Sequence, residues 1–259
     1  LIRRRDEAFV LHTRDLGEAD RIVTLLTERH GKVRAVAAAA RRSRRRFGGC
    51  LEPMTRVSAS WSEREGRELH RLGELEGVRS YAEMQADPSI QAACAVLGEV
   101  ADALSSEAQA DPQQFRLVGA VLDALERGEP AELLLRYFEY WTLRIHGLLP
   151  DLERCARCGA SLPDSRPAWV QPGVGLLCGR CPRDPTQGRL ALRGPDRAFL
   201  SAVGRRPPTA VAEAGRGLRS GAALEALLRG TLEAFVERRF RTYRHFRAGQ
   251  LPTRRGGRR

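Results

Sequence analysis

The chain has 259 residues, 42% of them hydrophobic, and carries 44 Lys plus Arg against 32 Asp plus Glu for a formal net charge of +12. That length holds one large or two modest domains, and the hydrophobic share is enough to build proper cores, which excludes a disordered chain or a mini-protein. No run approaches the eighteen apolar residues of a membrane span, and Leu1-Ile2-Arg3-Arg4-Arg5 lacks the apolar stretch of a signal peptide. We therefore expect a soluble, cytoplasmic protein with no membrane partner.

The positive charge is unevenly placed. Residues 1–50 hold 13 basic and 6 acidic side chains, residues 236–259 hold 9 and 1, and the body between them is slightly acidic. Charge gathered at two ends points to a surface for a polyanion, nucleic acid first among them, rather than to general solvation. Lys32 is the only lysine. Arg forks phosphates and stacks on bases, which Lys cannot do. A high-GC genome would produce the same Arg skew, but not its clustering.

In chain order, the first eighty residues read as short strands: Ala8 to Thr13, Arg21 to Thr27, Val33 to Ala37, Met54 to Trp61 and Leu69 to Leu75. His30-Gly31 supplies the turn between the second and third. Five strands in eighty residues predict a small closed barrel of the OB type over 1–80, and an SH3-like barrel would read much the same. Between barrel strands lies Arg41-Arg42-Ser43-Arg44-Arg45-Arg46-Phe47. Five arginines in six positions cannot share a buried surface, so they face water or phosphate. Phe47 offers either a face for base stacking or an anchor for the loop.

The pattern then turns helical, giving a domain over 81–247. Asp87-Pro88, Asp111-Pro112 and Glu129-Pro130 are helix entries with a proline in the first turn. The three helices that follow keep apolar spacing, and the aromatic group Tyr137, Phe138, Tyr140 and Trp141 reads as core. Pro195 to Val203 is a short helix, 204–220 a connection, and Gly221 to Phe246 one long amphipathic helix. Residues 248–259 read as a basic, disordered tail.

Within this domain, at 151–185, Cys155-Ala-Arg-Cys158 and Cys178-Gly-Arg-Cys181 are separated by nineteen residues. A C-x2-C-x19-C-x2-C pattern brings four thiolates around one zinc ion, and four sulfur ligands leave no open position, so the metal is structural. The alternative, two disulfides, is disfavoured in a reducing compartment. Arg157 and Arg180 would help keep the thiolates deprotonated, and Gly159 and Gly179 permit tight turns. Cys50 and Cys94 read as small apolar residues.

No enzyme motif stands out. The lone lysine lies in His30-Gly31-Lys32-Val33, where a phosphate-binding loop would need a hydroxyl next, and no lysine is left for nucleotidyl transfer. The five histidines show no metalloprotease spacing. We expect a non-enzymatic protein.

The stretch Phe9 to Asp20, the run Leu25-Leu26-Thr27-Glu28-Arg29-His30-Gly31-Lys32, and above all Arg46-Phe47-Gly48-Gly49-Cys50-Leu51-Glu52-Pro53 resemble the RecO recombination mediators of bacteria. So does the organisation: α+β and multidomain, an N-terminal OB-fold barrel followed by an α-helical domain carrying a four-cysteine zinc segment. The resemblance covers the chain to about Phe246.

It implies binding of single- and double-stranded DNA with little sequence preference, annealing of complementary strands, and help for RecA at DNA coated by single-stranded-DNA-binding protein. RecR is the implied partner, with RecF often alongside, and association with the nucleoid is implied as well. Some relatives also bind the acidic tail of the single-stranded-DNA-binding protein. Carried onto this sequence, DNA contact falls on Arg41, Arg42, Arg44, Arg45 and Arg46, with Lys32, Arg34 and Phe47 beside them, and zinc binding on Cys155, Cys158, Cys178 and Cys181. The competing reading is a zinc-containing RNA-binding or transcription-associated module, since barrels and zinc ribbons serve both nucleic acids.

Overall fold

A computed structural model describes residues 2–42, 47–63, 66, 69–181, 190–218 and 221–245. The chain divides into two compact units, Leu1–Leu122 and Asp123–Arg259.

The first unit is built on five strands: β1 (Ile2–Leu16), β2 (Asp20–Thr27), β3 (Gly31–Ala37), β4 (Arg56–Glu63) and β5 (His70–Arg79). They close into a barrel of order β1-β2-β3-β5-β4. Closure depends on the length of β1. Its first half pairs antiparallel with β4 from Ile2 to Phe9 and its second half with β2 from Ala8 to Leu16, with a register shift between Val10 and His12. A bulge there sharpens the twist, so one strand can serve both neighbours.

Strict alternation in β3 and β4 turns Val33, Ala35, Val57, Ala59 and Trp61 inward, where they meet Val10, Leu25 and Leu72. The β2–β3 turn needs its glycine. Gly31 has φ +67°, and a Cβ there would sit 2.1 Å from the Gln109 carbonyl oxygen.

Helix α1 (Pro88–Leu104) starts where Asp87 accepts hydrogen bonds from the backbone N–H of Ser89 and Ile90, with Pro88 in the first turn. It packs on β1 at Gly98, where a Cβ would meet the Leu11 carbonyl oxygen at 2.9 Å. Helix α2 (Pro112–Glu126) follows, its entry capped by Asp111 and its Phe115 ring 4.9 Å from that of Phe9. Cys94 is fully enclosed, and burial pushes its thiol up to about 12, as befits a small apolar residue. Cys50 is half-buried against the barrel core.

The second unit contains α3 (Ala131–Ile145), a sheet of order β7-β6-β8 made by β6 (Ala168–Gln171), β7 (Gly175–Leu177) and β8 (Ala191–Leu192), then α4 (Gly194–Val203), the single turn α5 (Val211–Ala214) and α6 (Ala222–Phe235). The aromatic group behaves as core: Tyr137, Phe138 and Tyr140 are buried, and the Trp141 ring stands edge-on to Tyr140.

The expected long helix from Gly221 to Phe246 is shorter. It ends at Phe235, because Glu233 Oε1 accepts the Phe240 N–H at 3.0 Å and Glu237 takes φ +53°, turning the chain back. That reversal buries Phe240 and Tyr243, and the Tyr243 hydroxyl donates to Glu139. The expected tail, 248–259, lies outside the described residues. Among the described residues no helix is long and apolar enough to cross a membrane.

Candidate metal centre and nucleic-acid surface

The four cysteines come together. Asp151 accepts from the N–H groups of Glu153 and Arg154, and a left-handed Gly159, φ +70°, lets its N–H reach the Cys155 carbonyl at 2.9 Å to close the first knuckle. The Ala156 N–H bonds to the Leu176 carbonyl at 2.8 Å, holding this knuckle against β7, after which Cys178 and Cys181 follow.

The four Sγ atoms lie within 4.8 Å of one another, with Cys155 to Cys181 and Cys158 to Cys178 both at 3.8 Å. Four sulfurs at about 2.3 Å from a tetrahedral centre stand about 3.8 Å apart, so the donor set fits a metal ion. Cys155 is buried and Cys158 exposed.

Main-chain donors prepare the thiolates. Burial opposes ionisation of Cys155, but the N–H groups of Cys178, Cys158 and Arg157 outweigh it and bring the thiol down to about 6. The N–H groups of Arg180 and Cys181 lower Cys178. Cys181, hydrogen bonded first to Cys158 and then to the other sulfurs, is pushed up to about 12. Arg157 and Arg180 thus act through their peptide N–H groups, where the sequence suggested their side-chain charge.

On the barrel, the basic loop begins pinned to the β1–β2 turn. The Arg41 N–H bonds to the Ala19 carbonyl at 2.9 Å, its Nη1 donates to the Gly17 carbonyl at 2.8 Å, and its Nε is 3.5 Å from Asp15. Arg42 is well exposed, with Nη2 3.6 Å from Glu18. Their acidic neighbours among the described residues, Asp15 and Glu18, are solvent-accessible, and a phosphate can replace them. Arg44, Arg45 and Arg46 lie outside the described residues.

Phe47 corrects an expectation: it is 3% exposed and belongs to the barrel core, so its ring anchors the chain and presents no face to a base.

Lys32 and Arg34 also have partners the sequence did not indicate. Lys32 Nζ is 3.2 Å from Asp102 Oδ1 and donates to the Asp102 carbonyl at 2.7 Å, while His12 Nε2 is 3.1 Å from the other carboxylate oxygen. Burial works against the Asp102 charge, yet His12 and Lys32 hold the carboxyl at about 2. Arg34 Nη2 is 2.6 Å from Glu107. Asp102, near the end of α1, and Glu107, just past it, stand some seventy residues along the chain from Lys32 and Arg34, and nothing in the sequence marks either pair.

These features define a class: an OB-barrel protein whose helical second part brings four cysteines close enough to hold a metal ion. A family model described as Recombination protein O N terminal matches residues 2–81, and one described as Recombination protein O C terminal matches residues 85–244. The chain is 43% identical over 172 residues to a DNA repair protein RecO of Anaeromyxobacter sp. (strain K), covering 66% of this chain and 68% of that one. It is 41% identical over 176 residues to a DNA repair protein RecO of Koribacter versatilis (strain Ellin345), covering 68% and 71%. Against a DNA repair protein RecO of Nocardioides sp. (strain ATCC BAA-499 / JS614) it is 41% identical over 182 residues, covering 68% and 73%. The chain belongs to the RecO family of DNA repair and recombination proteins.

Proposed function

We propose that this chain is a recombination mediator that binds single- and double-stranded DNA without sequence preference and anneals complementary strands. With RecR, it helps RecA load onto DNA coated by single-stranded-DNA-binding protein. The observation that carries the reading is the match of both RecO family models along the chain. The charge asymmetry and the pinned arginine loop support it from physics.

Annealing needs no catalytic residue. Two strands repel through their phosphates, and a cationic surface that releases counterions from each lowers the cost of approach until base pairing takes over. In this reading the barrel of residues 1–80 meets the DNA. Arg41, Arg42, Arg44, Arg45 and Arg46 contact phosphates, while Lys32 and Arg34, tied to Asp102 and Glu107, contribute mainly field.

The helical region of 81–247 carries the metal segment. Zinc is the ion that four thiolates in two C-x2-C knuckles suit best, and with every position taken by sulfur its part is to hold the two knuckles together. Cys155, Cys158, Cys178 and Cys181 hold it.

The test is the salt dependence of binding to single-stranded DNA. Removing all five loop arginines should flatten the log–log slope by roughly 3 units, at about 0.7 per phosphate contact. An unchanged slope removes the loop from the binding surface. Competition with RNA of equal length separates this reading from an RNA-binding module, which strong RNA preference would favour.

A further inference from the structure

We propose that the four-cysteine centre is a peroxide-sensitive switch: Cys158 is the sulfur that hydrogen peroxide oxidises first, Cys178 closes a disulfide onto it, and the metal is released. The inference rests on the metal-binding reading above and goes beyond it, because it gives a structural site a second, oxidised state.

The two knuckles present their sulfurs unequally. At the tip of the first, Ala156, Arg157, Cys158 and Gly159 are all exposed. Beneath them Cys155 is 2% exposed, and its sulfur accepts the Cys178 N–H at 3.4 Å. Cys178 and Cys181 are half-buried. A metal-bound thiol is held as the thiolate, so all four sulfurs are in the nucleophilic form and access decides which one meets a small oxidant first. Cys158 has that access.

Its partner is in place as well. Cys158 Sγ stands 3.8 Å from Cys178 Sγ on the other knuckle, and Cys155 Sγ stands 3.8 Å from Cys181 Sγ. A disulfide sets its sulfurs about 2 Å apart, so closing either pair takes a movement of under about 2 Å.

Main-chain bonds keep this register without help from a metal. The Ala156 N–H to the Leu176 carbonyl, at 2.8 Å, ties the first knuckle to β7, which leads into Cys178. The base of that knuckle is closed by the Cys155 N–H to the Ala160 carbonyl and the Leu162 N–H to the Glu153 carbonyl, both at 2.8 Å. Arg197 Nη2, from α4, donates to the Leu152 and Leu162 carbonyls at 3.1 and 2.7 Å and clamps both legs of the base. Cys158 therefore stays beside Cys178 while the first sulfur reacts.

The Cys158 thiolate attacks one peroxide oxygen, the O–O bond breaks, and hydroxide leaves behind a sulfenic acid. The Cys178 thiolate then attacks that sulfur, forms the S–S bond and expels a second hydroxide. Each thiolate gives up one electron, hydrogen peroxide accepts both, and two protons from solvent turn the hydroxides into water. With two of its four sulfur donors consumed, the site no longer holds zinc. A dithiol reductant restores the four thiols by exchange.

The experiment is titration of the zinc-loaded full chain with hydrogen peroxide, reading zinc release with a colorimetric chelator and linkage by tryptic mapping after alkylation of free thiols. Trypsin cuts after Arg157 and Arg180 but not between Arg166 and Pro167, so Cys158 and Cys178 share one peptide while Cys155 and Cys181 fall on separate ones. The expected product is a 158–180 peptide closed on itself, lighter by two hydrogens and not alkylated, appearing in step with zinc release and reversed by dithiothreitol. Cys158→His keeps a Cys3His zinc set and should release zinc on the order of tenfold more slowly.

Four alkylated cysteines and retained zinc, at peroxide that oxidises glutathione, overturn the switch and leave the metal reading standing. A first link from Cys158 to the Cys155 or Cys181 peptide, or zinc loss that dithiothreitol does not reverse, also overturns it. A folded wild type that takes up no zinc overturns the metal reading and the switch together.

Discussion

Asp102 and Glu139 are single residues whose environments drive their carboxyl groups in opposite directions, and each yields a pH prediction. Asp102 is held at about 2 by His12 and Lys32 despite its burial. A depressed carboxyl stabilises the fold above its ordinary value of 3.8 and loses that contribution as pH falls through about 2. Asp102→Asn should cost about 2 kcal/mol at neutral pH, a difference that shrinks as pH falls from about 4 towards 2, as measured by denaturant unfolding of each protein between pH 7 and pH 2.

Glu139 is enclosed between Arg136 and Tyr243, and burial raises it to about 7 despite the Arg136 charge. A raised carboxyl favours the folded form most at low pH, and that advantage is lost as pH rises from 4.5 through 7. Glu139→Gln should flatten stability across that window. A profile with the wild-type slope would mean that Glu139 does not titrate there.

At this scale the sequence was legible where chemistry is local. Two C-x2-C pairs announce a metal site because each knuckle carries its own turn. The partners of Lys32 and Arg34 were not legible, nor was the burial of Phe47, because tertiary packing alone decides which acid meets a cation and whether a ring next to an arginine run faces inward.

At the scale of elements, the strand alternation and the proline-led helix entries located all five barrel strands and the first three helices, since both signals repeat within a few residues. The end of α6 was missed for a physical reason. The amphipathic pattern of Leu224, Leu228 and Phe235 runs on into Phe240 and Tyr243, but there the same apolar residues are buried by a chain reversal rather than by another helical turn. A left-handed Glu237 has no sequence signature.

The knuckles and the hairpin of β6 and β7 form the other element that makes a prediction. Removing the metal with a strong chelator, or replacing Cys155 by Ser, should release one zinc ion per chain. It should also raise amide exchange across residues 151–181 while β1 to β5 remain protected. Exchange that rises equally in the barrel would show that the metal supports more than its own segment.

At the scale of the whole molecule, the composition separated a basic barrel and a basic C-terminal end from a nearly balanced body. Of that division the structure describes the start of the arginine loop, pinned by the β1–β2 turn, while residues 43–46 and 246–259 lie outside the described residues. What the sequence could not reveal was the layout of the barrel surface, where Asp102 and Glu107 from the following helix and loop partner Lys32 and Arg34.

The central claim, that a cationic barrel surface promotes pairing of DNA strands, is tested most directly by fluorescence-detected annealing of complementary oligonucleotides coated with single-stranded-DNA-binding protein. The comparison is between the wild-type chain and Arg41/Arg42/Arg44/Arg45/Arg46→Ala, without ATP. The account predicts annealing by the wild type that weakens as salt rises and is largely lost in the variant. A folded, zinc-loaded wild type that fails to anneal, or a variant that anneals as fast, would contradict it.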